Sequence, residues 1–148
     1  MTTLLEARSK GAGLRSQALY RRYAAIGSFV AALVHYAVVP EHLDEWWAQG
    51  VFFSAIGMFQ LIWAVLVYTG DERPMLLSGL LVNLGALTLW AVTRTAGLPF
   101  GPEAGEAEAV GVLDVISVVI EVAVVAAILV ALFGRRTAVR DEPGEQSL

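Results

Sequence analysis

Both histidines of the chain, His35 and His42, lie within eight residues of one another, beside Glu41, Asp44 and Glu45. Two further acids, Asp114 and Glu121, interrupt a long apolar run nearer the C-terminal end. Imidazole and carboxylate together suit Zn, Fe or Mn and, less exclusively, Cu(II). His35, His42 and Glu45 are the core candidates to hold such a transition metal. Glu41, Asp114 and Glu121 are candidates for supplementary ligands or proton carriers. Metal sites inside helix bundles are commonly built from Glu and His on facing helices. Here His42 precedes Glu45 by three residues, which is not the Glu-x-x-His order of di-iron bundles. The competing reading is a solvated acidic loop with two incidental histidines. A bis-histidine haem is disfavoured, because only His35 lies clearly inside an apolar run.

These residues need a scaffold, and composition says which kind. The 148 residues are 57% hydrophobic and 16% charged, with mean hydropathy +0.64. The apolar excess is gathered into four runs, about 23–39, 51–68, 75–92 and 110–133. Each approaches the roughly 20 residues needed to cross a hydrocarbon core. Backbone polar groups in lipid must satisfy one another, so these runs are helices. The expected fold is all-α, a four-helix transmembrane bundle. The first run is read as a retained helix rather than a cleaved signal. With no cysteine in the sequence, disulfides, thiolate metal sites and thiol nucleophiles are excluded.

Basic residues set the expected orientation. Arg8, Lys10, Arg15, Arg21 and Arg22 precede the first run, and Arg135, Arg136 and Arg140 follow the fourth. The stretches 40–49 and 97–109 contain no Lys or Arg. The positive-inside rule places the N- and C-termini in the cytoplasm and both acidic loops outside. The expected organisation is a basic cytoplasmic N-terminal segment (1–22), a transmembrane domain (23–133) and a disordered cytoplasmic tail (134–148). Residues 1–22 mix leucine with basic residues, as an amphipathic segment on the inner leaflet would. Gly11 and Gly13 favour a flexible basic tail instead. The expected location is a bacterial plasma membrane, with the lipid bilayer as the main partner.

Proline fits the first turn of a helix better than its interior. Pro40 is therefore expected to mark a turn, with a new helix starting at Glu41. His42, Glu45, Gln49 and Gln60 would then share one stripe of the second span, and His35 would face His42 and Glu45. Trp46 and Trp47 would sit at the membrane surface.

Polar residues inside spans are costly and usually face protein or water. Asp114 and Glu121 are seven residues apart, two turns on one face. Glu121 is read either as a functional acid, alone or in a proton relay with Asp114, or as a structural one paired with Gln60 or Asn83. An ion pair between Asp114 and Arg94 is favoured over metal ligation by Asp114. Stripes turned inward would form a polar column open to the outside and closed below by Leu, Val and Ala. Ala123, Ala127 and Ala131 form a small-residue stripe, suited to close contact within the bundle or with a homo-oligomer or membrane-complex partner. Glycine patterns for nucleotides, nucleophile elbows and HExxH are absent, and nothing supports nucleic-acid binding.

The stretch HYAVVPEHLDEWWAQGVFF, with Gln60 further on, resembles small four-span membrane proteins of high-GC Gram-positive, actinobacterial-type bacteria. They share a His, Glu-His, Glu, Gly-x-Phe and Gln pattern. The resemblance covers mainly the first two spans. It implies that His35, Glu41, His42, Glu45, Gly50 and Gln60 act as a set, and it supplies no catalytic residue. The sequence supports, first, a membrane protein binding a transition metal in the outward half of the bundle. A non-enzymatic membrane subunit or scaffold, and a small proton- or ion-coupled permease using Glu121, are the alternatives.

Overall fold

The computed structural model describes residues 2–70 and 72–134, with the backbone alone at 2–10, 12 and 14. Among the described residues it contains four helices and no strand. They are α1 (Thr2–Glu45), α2 (Trp47–Thr69), α3 (Arg73–Thr95) and α4 (Val112–Phe133). All four are long and apolar enough to cross a membrane, with α1 contributing Arg15–Glu45. The expected tail lies, from residue 135 on, outside the described residues.

Two expectations about α1 are corrected. The helix does not end at Pro40 but runs through it to Glu45. Proline's fixed φ is helical, and so near a helix end its missing N–H removes one bond without stopping the chain. The interruption comes at Trp46, a single extended residue (φ −158°, ψ 118°). Its N–H closes α1 on the His42 carbonyl at 2.9 Å, and its own carbonyl accepts from Gln49 N–H at 3.0 Å to open α2. His42 and Glu45 therefore belong to α1, and the stripe expected to run from them into Gln60 on one helix is not formed. At the other end, α1 is already helical at Thr2. An established helix propagates more easily than it nucleates, which offsets the roughly 1 kcal/mol cost of each glycine at 11 and 13.

Contacts along the helices are antiparallel in sequence. α1 meets α2 through Arg22 and Tyr68 at one end and through His42 and Phe53 at the other. The bundle is thus up-down-up-down. One end, here the loop end, carries the α1–α2 corner and the 96–111 loop; the other carries the α2–α3 turn.

Packing differs between the two halves. Away from the loop end, α1 offers the buried small residues Ala24, Ser28, Ala31 and Ala32. Their three- and four-residue spacing is one helix face, and small residues let backbones approach closely in lipid. Ala24, with Ala25, shares the core with Val67, Val124, Ile128 and the buried Ala127 and Ala131. Two residues of the expected alanine stripe thus face the bundle, while Ala123 is exposed. Large apolar side chains elsewhere point outward, including Leu81, Val65, Val112 and Val119. That surface suits a hydrocarbon surround.

Trp63 fixes α3 to α2. Its indole N–H donates to the Met75 carbonyl at 2.7 Å. The ring lies over Gly79, where an added Cβ would clash with the Trp63 indole at Cζ2. Gly79→Ala is expected to destabilise the protein by about 1–3 kcal/mol, as overpacking does. Thermal unfolding in detergent checks this; an unchanged midpoint would contradict the close α2–α3 contact.

Candidate functional site

A buried polar cluster joins α1, α2 and α4. His35 Nδ1 lies 2.8 Å from Gln60 Oε1. An amide oxygen only accepts, so Nδ1 carries the proton in this arrangement. Gln60 Nε2 donates to Glu121 Oε1 at 3.2 Å. The ring closes with His35 Nε2 3.6 Å from the same Glu121 oxygen and 3.4 Å from Ser117 Oγ. Ser28 Oγ adds a bond to the Gln60 backbone carbonyl at 3.0 Å. Gln60 is 0% exposed, Glu121 2% and His35 5%. Among the described residues, the second oxygen of Glu121, Oε2, takes part in no hydrogen bond.

Asn83 does not share in this cluster. It is fully buried, donates to Gly79 O on its own helix, and leaves Oδ1 without a partner.

A second cluster ties the 96–111 loop to the helix ends. Arg94 Nη2 meets Asp114 Oδ2 at 2.9 Å, and Arg94 Nη1 pairs with Glu108. Gln49 Nε2 donates to the other Glu108 oxygen at 3.1 Å. The Glu108 N–H bonds Thr93 O at 3.0 Å. Asp114 also accepts from the Gly111 N–H at 2.7 Å, capping α4. Phe100 packs edge-on to Trp46 with ring centroids 6.1 Å apart. Gly97 makes the first turn of the loop at φ +71°, with the Glu106 backbone where a Cβ would sit; only glycine fits there.

Between the clusters lies a chamber of about 240 Å³. His35, Ser117 and Glu121 form its floor, and Phe52, Phe53, Leu89 and Trp90 are among its walls. Trp46, Gln49, Arg94, Glu108 and Asp114 line both this chamber and a vestibule of about 520 Å³ at the loop end. Glu41, His42, Glu45, Glu103 and Glu106 face the vestibule alone.

The six residues considered as metal ligands are thus divided. His35 and Glu121 come together in the spans, and Asp114 pairs with Arg94. Glu41, His42 and Glu45 flank the vestibule. The two histidines do not face one another as expected. Both pack on Phe53, His35 stacked at 5.7 Å and His42 edge-on at 4.4 Å between centroids. His42 Nδ1 turns back to Val38 O at 2.9 Å. Among the described residues, no three His, Asp or Glu side chains converge tightly enough to hold one ion. The expected Asp114–Arg94 ion pair and the Gln60–Glu121 pairing are both present.

Several participants escaped sequence reasoning. Ser117 is one: it lies three residues after Asp114 and four before Glu121, so helical spacing alone puts it on their face. The pairing of Glu108 with Arg94 is another: the sequence offers Glu103, Glu106 and Glu108 alike as a solvated acidic loop that could collect cations, and nothing distinguishes Glu108 among them. Phe53 and Trp90 were invisible among many apolar neighbours. No family model, curated protein or solved structure matches the chain.

Two substitutions separate bridging from packing. Gln60→Leu removes two interhelical bonds and is expected to cost about 1–3 kcal/mol. Asn83→Leu removes only an intrahelical bond and is expected to cost less. Unfolding in mixed micelles ranks the two; a larger loss for Asn83→Leu would overturn the assignment. For the loop, Arg94→Ala leaves Glu108 and Asp114 without their shared cation. Cleavage of residues 97–110 by limited proteolysis is then expected to accelerate, and an unaltered rate would show that the ion pairs do not hold the loop.

Proposed function

We propose that the chain is a multi-pass bacterial plasma-membrane protein in which Glu121, with His35 and Gln60, is the exchangeable-charge site of a small proton- or ion-coupled permease. The observation that carries this is the Glu121 carboxyl. It is buried in a spanning helix, bonded through one oxygen only, and part of the floor of a chamber that meets an acidic vestibule. An ionisable group at such depth is costly to keep for packing alone, and it marks a path for protons or ions. Under the positive-inside rule the vestibule opens outward and the termini are cytoplasmic.

A bound transition metal is less well supported. His35 and Glu121 would supply two donors, whereas protein metal sites usually draw on three or four. A purely structural subunit is the stronger rival, because the same cluster bridges three helices.

Infrared difference spectroscopy on the protein in nanodiscs separates the two. An exchange site predicts a protonated-carboxyl band that responds to pH. The band shifts promptly in D₂O and vanishes in Glu121→Gln. A band absent from the wild type, or one that ignores pH and D₂O, would leave the structural role.

A further inference from the structure

We infer that the chamber beneath the 96–111 loop binds a small organic cation, a protonated or quaternary amine with an apolar body of about one aromatic ring, its ammonium group at Glu121. The inference rests on the reading of Glu121 as an exchange site and names what is exchanged.

Charge selects the sign of the ligand. Among the described residues, the vestibule is lined by six carboxylates, Glu41, Glu45, Glu103, Glu106, Glu108 and Asp114, with Arg94 as its only lysine or arginine. The charge of Arg94 is offset by Glu108 and Asp114 through its two terminal nitrogens, while its Nε has no partner among the described residues. A cleft lined by one sign of charge concentrates ions of the other. At the floor, Glu121 Oε2 is an unpartnered acceptor on a side chain only 2% exposed. Too few ligands converge there for a metal ion, but a single carboxylate suffices for an ammonium.

The walls select the body. Phe52, Phe53 and Trp90 face the chamber, and aromatic rings attract cations as well as apolar groups. A volume of about 240 Å³ exceeds the about 150 Å³ cavity that admits benzene. One ring with a short charged arm therefore fits.

The same geometry sets the proton balance. Facing Glu121 are His35 from α1, neutral Gln60 from α2 and Ser117 on its own helix; Arg94, Glu108 and Asp114 line the chamber further up. An unpaired charge in such a site is unfavourable. With the chamber empty, the His35–Glu121 pair holds one proton on either partner and is neutral. A monocation replaces that proton, which leaves to solvent, and the pair becomes the counter-ion. No covalent bond other than that to the proton changes.

The test titrates the full chain in nanodiscs by calorimetry, in two buffers of different protonation enthalpy. The probes are benzylammonium, benzyltrimethylammonium, neutral benzyl alcohol and Zn²⁺. Both aromatic cations are expected to bind with release of one proton each, and benzyl alcohol about tenfold or more weakly. Glu121→Gln removes cation binding and keeps the weak benzyl alcohol response, which shows the chamber still formed. Trp90→Leu, which leaves the carboxylate in place, weakens both cations. Equal binding of benzyl alcohol and benzylammonium, cation binding that survives Glu121→Gln, preference for Zn²⁺, or no binding at all would overturn the inference. A titrating Glu121 infrared band without aromatic-cation binding would sink this inference alone. Cation binding with no proton release would sink the exchange-site reading with it.

Discussion

A polar group buried among apolar helices of spanning length has no water to fall back on, so its bonds must come from the protein. Gln60 meets that demand with both ends of one amide. Its oxygen accepts from His35 on α1 and its nitrogen donates to Glu121 on α4. The side-chain bond from Ser28 to its backbone carbonyl adds a second link to α1. The orientation of the amide then fixes the tautomer of His35, and with it which ring nitrogen is left for Glu121 and Ser117. Remove the amide and the histidine and the glutamate lose their common partner. The register of α1, α2 and α4 at this level follows from one residue.

The two halves of the bundle solve different problems around that level. Away from the loop end, small residues on α1 bring the helices close, and Trp63 fills the space between α2 and α3. Toward the loop end the facing side chains are large, flat and partly polar: Phe53, Trp90, Arg94 and Trp46. Rings of this size hold helices apart without filling the space between them, so a chamber remains. The 96–111 loop covers it, held by the ion pairs of Arg94, by the Glu108 N–H bond to Thr93 and by the packing of Phe100 on Trp46. Ion pairs at a partly exposed site are weak and screened by salt, so the cover is the part of this half least costly to displace.

What could be read from the sequence followed its strongest periodicities. Four apolar runs of spanning length have one solution in lipid, and the helices are there. Asp114 and Arg94 sit at facing ends of neighbouring spans, so their pairing needed only the topology. Gln60 and Glu121 were legible as partners because both interrupt apolar runs at similar depth. The errors arose where local rules compete. Pro40 carries a stop signal, but so near a helix end its penalty is a single bond, and the chain broke instead at Trp46, which carries no signal of its own. That six-residue shift moved His42 and Glu45 from α2 to α1 and dissolved the proposed stripe. Glu108 was unreadable for another reason: an acid in a loop of acids acquires meaning only from the arginine it meets in three dimensions.

The position of Phe53 shows why two histidines in one short stretch need not share one role. His35 and His42 are seven residues apart on the same helix, so both lean toward α2, and both lean on the same ring. Above Phe53, His42 is bonded to its own helix and borders the vestibule. Below it, His35 is enclosed by Gln60, Ser117 and Glu121. A benzyl ring neither ligates nor relays protons, so it divides what would otherwise be one imidazole pair. The lower histidine is thereby committed to Glu121, and any proton or cation that reaches that pair from the vestibule must pass an aromatic wall rather than a second imidazole. Largely apolar walls with a buried carboxyl group at their base suit a ligand that brings both an apolar body and a cationic group.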